Sequence, residues 1–226
     1  MVLGLLTAVA ACPAIVGINE TVQHGQRQEA KKRHRGRKMN LVVSCSDPSK
    51  KSRDVNGAYI VLRNHKLYVS TTKDSRHNEM GHNGHLFQGY FFKHPEHQWG
   101  RGGEGLVSTI SNDPPMLNWI YVDKDTYEVK YDNKQGSEGH LLGPWNCTPV
   151  EKRLTFDGWE GFAVAEEPAG PGENGDEDGM VWALYFDVDD NGLQSKVPLD
   201  RRVLEVELTR KEMRIPPAEA EDEEPK

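Results

Sequence analysis

Residues 99–131, WGRGGEGLVSTISNDPPMLNWIYVDKDTYEVKY, form the longest piece of the chain in which strand pattern and turn chemistry agree. From Met116 to Asp123 the side chains alternate, with Leu117, Trp119 and Tyr121 on one face and Asn118, Ile120 and Val122 on the other. After the Asp123-Lys124-Asp125 turn, Tyr127, Val129 and Tyr131 alternate with Glu128 and Lys130. Two such runs around a short polar turn predict a β-hairpin. No known chemistry goes with this spacing, so the stretch speaks to the fold and leaves function to other residues.

On either side the pattern repeats in short apolar runs broken by Gly, Asn, Asp and Pro, the mark of an all-β domain. Upstream, Leu41–Ser46 reads as a first strand, Ala58–Leu62 and Lys66–Ser70 as a hairpin around Arg63-Asn64-His65, and His85–Phe92 as a further strand. Downstream, strands are predicted at Leu141–Trp145, Leu154–Phe156, Gly161–Ala165, Met180–Phe186 and Arg202–Leu208, with Thr209–Ile215 either a short helix or the fraying end of the last strand. The fold expected is a single barrel, sandwich or β-trefoil-like domain of short antiparallel strands over about residues 40–210. Glu166–Gly179, EEPAGPGENGDEDG, is too acidic and too rich in Gly and Pro to bury itself and is expected to be a flexible loop. Residues 211–226 read as an acidic tail, and no repeat of about 20 to 50 residues stands out.

The chain of 226 residues has a formal net charge of -7 and 28% charged residues, so bulk electrostatics argue against nucleic acid as a partner. Cys12, Cys45 and Cys147 are odd in number and widely spaced, which favours a reducing compartment over a disulfide framework. Charge is unevenly spread. Met1–Ile18 carries none and would be about 27 Å long as a helix, close to a bilayer core. A basic stretch follows within residues 20–39, with Arg27, Lys31, Lys32, Arg33, Arg35, Arg37 and Lys38. Together these predict a membrane anchor or interfacial helix over residues 1–19, with the domain facing the cytosol by the positive-inside rule. The alternatives are a helix packed on a protein core, a mitochondrial-type targeting sequence, and a secretory signal cut near Ala8-Val9-Ala10, which would make Asn146-Cys147-Thr148 a glycosylation acceptor.

Asp187-Val188-Asp189-Asp190-Asn191-Gly192 matches the first half of a calcium loop, with Asp187, Asp189 and Asn191 the ligands. Pro198 stands where the bidentate Glu should be, and a tight Asp/Asn-Gly turn explains the same residues. His77, His82 and His85, with His94 and His97 beyond, raise zinc as a further reading, although Gly and Asn between them speak against a helix. No nucleophile–base arrangement or phosphate loop is present, so catalysis has no motif behind it. Of the five tryptophans, Trp119 and Trp182 sit inside alternating strands and are expected in the core. Trp99 and Trp145 stand at strand ends beside Gly and Pro, and with Arg101, Asp123 and Asp125 they are the candidate ligand-binding residues.

Several blocks taken together resemble a family of ascomycete fungal proteins: MVLGLLT at 1–7, HQWGRGGEGLVSTISNDPPMLNWIYVDKDTYEVKY at 97–131, GPW at 143–145, GWEGFAV at 158–164, WALYFDVDDNGL at 182–193 and RRVLEVEL at 201–208. That family is sometimes grouped under a ricin-B-type lectin label, and the resemblance implies a β-trefoil that binds galactose-like sugars. Ricin-type lobes carry Gln-x-Trp, whereas here Gln98 and Trp99 are adjacent and no Gln-x-Trp occurs, so the label transfers no site residues. The sequence is thus read as a binding or scaffold module without catalysis, held at a membrane surface through residues 1–38, with a carbohydrate or protein partner. A secreted lectin-like protein and a metal-dependent enzyme are the rivals.

Overall fold

The computed structural model describes residues 35–70, 84–97, 99, 103–112, 114–170 and 179–213. Two compact units divide the chain, Met1–Arg37 and Lys38–Lys226, and every described strand belongs to the second. The apolar segment 1–19, most of the basic stretch, the histidines at 77 and 82, and the acidic tail beyond Met213 lie outside the described residues.

The strands fall into three successive groups. The first holds β1 (Met39–Ser44), the one-turn helix α1 (Ser52–Val55), β2 (Tyr59–Arg63), β3 (Lys66–Ser70), β4 (His85–Leu86) and β5 (Gln88–Phe92). The second holds β6 (Gly105–Asn112), β7 (Pro115–Val122), β8 (Val129–Asp132), the short helix α2 (Lys134–Ser137) and β9 (Trp145–Cys147). The third holds β10 (Leu154–Phe156), β11 (Phe162–Pro168), β12 (Met180–Phe186), β13 (Val203–Glu205) and β14 (Glu207–Glu212).

Outer strands of each group close a ring. β1 meets β5 at Met39↔Gly89, β5 pairs with β6 from Gln88↔Thr109 to Phe92↔Gly105, and Glu104↔Trp145 joins the foot of β6 to β9. β9 pairs with β10, Arg153↔Thr209 ties the start of β10 to β14, and β14 runs antiparallel to β1 from Met39↔Glu212 to Ser44↔Glu207. The inner strands form one hairpin per group, β2–β3, β7–β8 and β11–β12. The second strands of these hairpins meet one another in a triangle, at Lys66↔Lys130, Glu128↔Tyr185 and Val69↔Trp182. A closed barrel capped by three hairpins about a pseudo-threefold axis is the plan of a β-trefoil.

Alternation explains why these residues build it. Along β1, Met39, Leu41 and Val43 point inward at no more than 1% exposure while Asn40, Val42 and Ser44 point out. Trp145, Trp182, Phe87, Phe162 and Phe186 are all nearly or fully buried and supply the bulk of one core that reaches all three groups. Each aliphatic side chain withdrawn from water in this way contributes about 1.5–3 kcal/mol. A smaller cluster, which includes Tyr68, Ala183, Tyr185, Leu193 and Val197, lies on the other side of the cap strands.

The hairpin predicted at residues 116–131 is present as β7–β8, and Asn64 (φ 49°) and His65 (φ 63°) make the two-residue turn of β2–β3. Two expectations are corrected. Leu141–Trp145 is not one strand: Leu141 makes a single bridge to Val122, the Gly143–Pro144 bond is cis, and the strand begins at Trp145 because Pro144 has no N–H to give a ladder. Glu166–Pro168 belongs to β11 and pairs with β12, so the loop is shorter than composition suggested. Beyond Thr209 the chain is strand as far as Glu212, held against β1.

Candidate functional site

Trp159, the remaining one of the five tryptophans, lines a cleft. Asp157 (φ 49°) and Gly158 (φ 93°) form a two-residue turn, closed by reciprocal backbone bonds of 3.0 and 3.2 Å between Phe156 and Trp159. This turn presents Trp159, which is 36% exposed. The ring is not loose. Its edge meets Phe186 at 5.2 Å, and Gly161 lies directly beneath it, where a Cβ would come within 2.3 Å of the indole. Glycine at 161 is therefore what lets the ring lie flat.

Opposite this wall is the turn after β12. The Asp187 N–H donates to the Gly161 carbonyl at 2.8 Å, which ties the turn to the base of β11. Asp187 Oδ2 accepts from the Gly192 N–H at 2.6 Å, with Asp190 (φ 52°) and Gly192 (φ 70°) in left-handed conformation between them. Asp187 is 8% exposed, and its other oxygen, Oδ1, is buried without a hydrogen-bond partner. Unpaired buried acceptors are rare and costly, and each calls for an explanation. β13, with Val206 and Glu207, and the segment from Ser44 to Asp47 complete a cleft of about 670 Å³, within the span of roughly 300–1,000 Å³ typical of small-molecule sites.

Carboxylates are prominent in the lining, and among the described residues no Lys or Arg contributes to it. Just outside, Arg153 forms ion pairs with Glu160 at 2.8 Å and Glu207 at 3.2 Å, and also with Glu151. An aromatic face beside hydrogen-bond acceptors in a concave wall can stack an apolar ring face while gripping polar groups at its edge.

The residues proposed from sequence are scattered. Trp145 is 1% exposed, with Phe156 and Phe162 against its ring, so its placement on a surface is corrected: it belongs to the core. Trp182 is core as expected, whereas Trp119 is only half-buried, on the outer face of β7 beside Phe92 and His94. Trp99 is half-buried, stacked on His97 at 5.9 Å and packed over Gly143. Arg101 lies outside the described residues. Asp123 is buried and spends its carboxylate on the turn, accepting from the N–H of Asp125 at 2.9 Å and of Thr126 at 3.1 Å and from Lys130 Nζ at 2.9 Å. Burial pushes its pKa up, but these bonds outweigh that and hold it down at about 2. Asp125 is exposed and offers its carbonyl to Lys196.

Of the two readings of residues 187–192, the geometry is that of the tight turn. Asp187 Oδ2 serves Gly192, Asp189 Oδ2 accepts from the Tyr127 hydroxyl at 2.9 Å, and Asn191 Oδ1 accepts from the Gln194 N–H at 3.3 Å, so the three oxygens do not converge. Among the described residues no group of three or more His, Cys, Asp or Glu is placed to hold a metal ion. His94, from the histidine stretch, is instead a buried structural side chain: Nδ1 accepts from the N–H groups of Glu96 and His97, and burial, then the neighbouring His97, holds its pKa below the usual 6.5.

The other polar concentration sits where the three hairpins meet. Lys66, 7% exposed, donates to Glu128 at 2.6 Å and to Glu167, and Tyr185 donates to Glu167. Burial raises the Glu128 pKa, but hydrogen bonds from Lys130 and Lys66 bring it below the ordinary value, while burial and the bond to Glu167 drive the Tyr185 phenol upward. Every member is paired, so this network reads as structural. A signal for the cleft did exist in the sequence: Asp-Gly immediately before a tryptophan that is itself followed two residues later by glycine, DGWEG at 157–161.

A family model described as the fungal beta-trefoil domain matches residues 17–214. No curated protein and no solved structure matches the chain.

Proposed function

The chain belongs to the fungal beta-trefoil domain family, and from that premise we propose that it is a binding module that takes a carbohydrate in the cleft between Trp159 and Asp187. The observation that carries this is the seated, partly exposed Trp159 ring lining the same cleft as Asp187, a carboxylate with one oxygen left without a partner. A pyranose presents a ring face of C–H groups to the indole and hydroxyl donors to the carboxylate, which would satisfy both at once. A glycan array probed with full-length protein, followed by calorimetry on the hits, tests it. Trp159→Ala should weaken binding about tenfold or more while leaving the fold intact. An empty array, or a Trp159→Ala variant that binds as well as wild type, rejects the reading.

A second element of the proposal concerns location. Met1–Ile18, followed by the basic stretch to Lys38, supports a module held at a membrane surface on the cytosolic side. Among the described residues no helix is long and apolar enough to cross a membrane, and the segment in question lies outside them. Fractionation of tagged protein decides the matter: recovery in the soluble fraction with the N-terminus intact rejects both the anchor and the secreted alternative.

A further inference from the structure

Resting on the carbohydrate reading above, we propose that the cleft selects sugars carrying a free, protonated amine, hexosamine units without their N-acetyl group, over neutral and anionic sugars. The argument is one of unbalanced charge. Of the carboxylates that line the cleft, Glu160 and Glu207 are matched by Arg153. Asp47, Asp187, Asp190 and Glu205 have no cationic partner among the described residues. Among the described residues Asp47 Oδ1 accepts a backbone N–H, from Ser49, which does not neutralise its charge.

Like charges gathered in one concave wall repel, and they attract a cation for the same reason. A sugar hydroxyl offers a single neutral hydrogen bond to Asp187 Oδ1. An ammonium offers several donors and a charge, and charge-assisted bonds are roughly twice as strong as neutral ones. The exposed indole adds to the same preference, since its face attracts cations as well as C–H groups. A carboxylate or sulfate on the sugar would meet repulsion with no lining Lys or Arg among the described residues to answer it. The unsatisfied Asp187 oxygen and the aromatic platform thus point to one chemistry, a cationic group on a ring.

The test is calorimetric titration of the full-length protein with a glucosamine oligomer, the N-acetylglucosamine oligomer of equal length, and a uronic-acid oligomer, at low salt and slightly acid pH. The glucosamine oligomer should bind about tenfold tighter than its acetylated counterpart, about 1.4 kcal/mol, and the gap should shrink as salt is added. Asp187→Asn should weaken both oligomers, the glucosamine oligomer the more, so that most of that gap is lost. Should Asp187→Asn disturb the turn through the Gly192 bond, Glu205→Gln, an exposed residue of β13, should narrow the gap in the same direction. Equal or tighter binding of the acetylated or uronic oligomer overturns the inference and leaves the carbohydrate reading standing. Binding of none of the three, with an empty glycan array, overturns both. Binding of polylysine alone overturns both as well, and assigns the cleft to a basic peptide.

Discussion

Replacing Lys66 by methionine keeps the apolar stem and removes the ammonium at the meeting point of the three hairpins. Glu128 retains Lys130 at 2.7 Å, but Glu167 then has only the Tyr185 hydroxyl among the described residues. The side chains of Lys66 and Glu167 are 8% and 25% exposed, so water replaces the lost partner poorly. Breaking a buried pair from one side costs about 3–5 kcal/mol, most of it the penalty on the charge left behind. For a domain of this size that corresponds to a fall in Tm of about 10 °C. Urea unfolding at pH 7 should show a lower midpoint with an unchanged m-value. Adding Glu167→Gln to Lys66→Met removes the stranded charge and should recover about 1–3 kcal/mol, whereas Glu167→Gln alone should destabilise. A Lys66→Met cost under about 1 kcal/mol, or a Glu167→Gln effect equal in both backgrounds, would refute the view that the pair is coupled and buried.

Asp123 has its pKa held at about 2 against an ordinary 3.8, so the stability it contributes is full above pH 3.8 and is lost as pH falls through about 2. Allowing for solvent screening, Asp123→Asn should cost about 1–2 kcal/mol at pH 7 by urea midpoint, and the gap from wild type should close near pH 2. His94 behaves as a base with a depressed pKa: the unfolded chain takes the proton first, so stability should decline as pH drops below 6.5. His94→Phe should flatten that slope in thermal melts between pH 5 and 7, at the expense of the two turn hydrogen bonds. Trp145→Ala, deep in the core, should lower stability by about 3–5 kcal/mol, and Trp159→Ala by clearly less; a reversal of that order by calorimetry would contradict the assignment of one to the core and the other to the site. Gly89→Ala should be strongly destabilising, since a Cβ there would lie 2.4 Å from the Val107 carbonyl oxygen.

Much of the strand pattern was legible because inward and outward residues alternate cleanly, as in β1 and the β7–β8 hairpin. The threefold plan was less so. What recurs from group to group is position in the ring and the cap, and the first strands of the three groups, MNLVVS, GLVSTISN and LTF, share no residue motif. Leu141–Trp145 misled because an apolar run does not reveal that Pro144 interrupts the ladder. The acidic stretch misled at its start because Glu167, polar by composition, is a half-buried partner of Lys66. At the cleft, the DxDDNG spacing fitted both a calcium loop and a tight turn, and the turn sends the oxygens of Asp187, Asp189 and Asn191 to different partners. Trp159 was passed over because its exposure depends on the left-handed turn at Asp157-Gly158 and on the missing side chain at Gly161, both invisible to periodicity.

The pairing of β1 with β14 also sets a timetable. Met39 and Arg210 lie side by side although 171 residues separate them, so the ring has no closing member until the end of the domain has been synthesised. Until then β1 waits with an open hydrogen-bonding edge, the kind of edge that recruits strands from other chains. A protein shortened before Glu207 would hold that edge open permanently, and it should be recovered in aggregates rather than as a smaller folded domain.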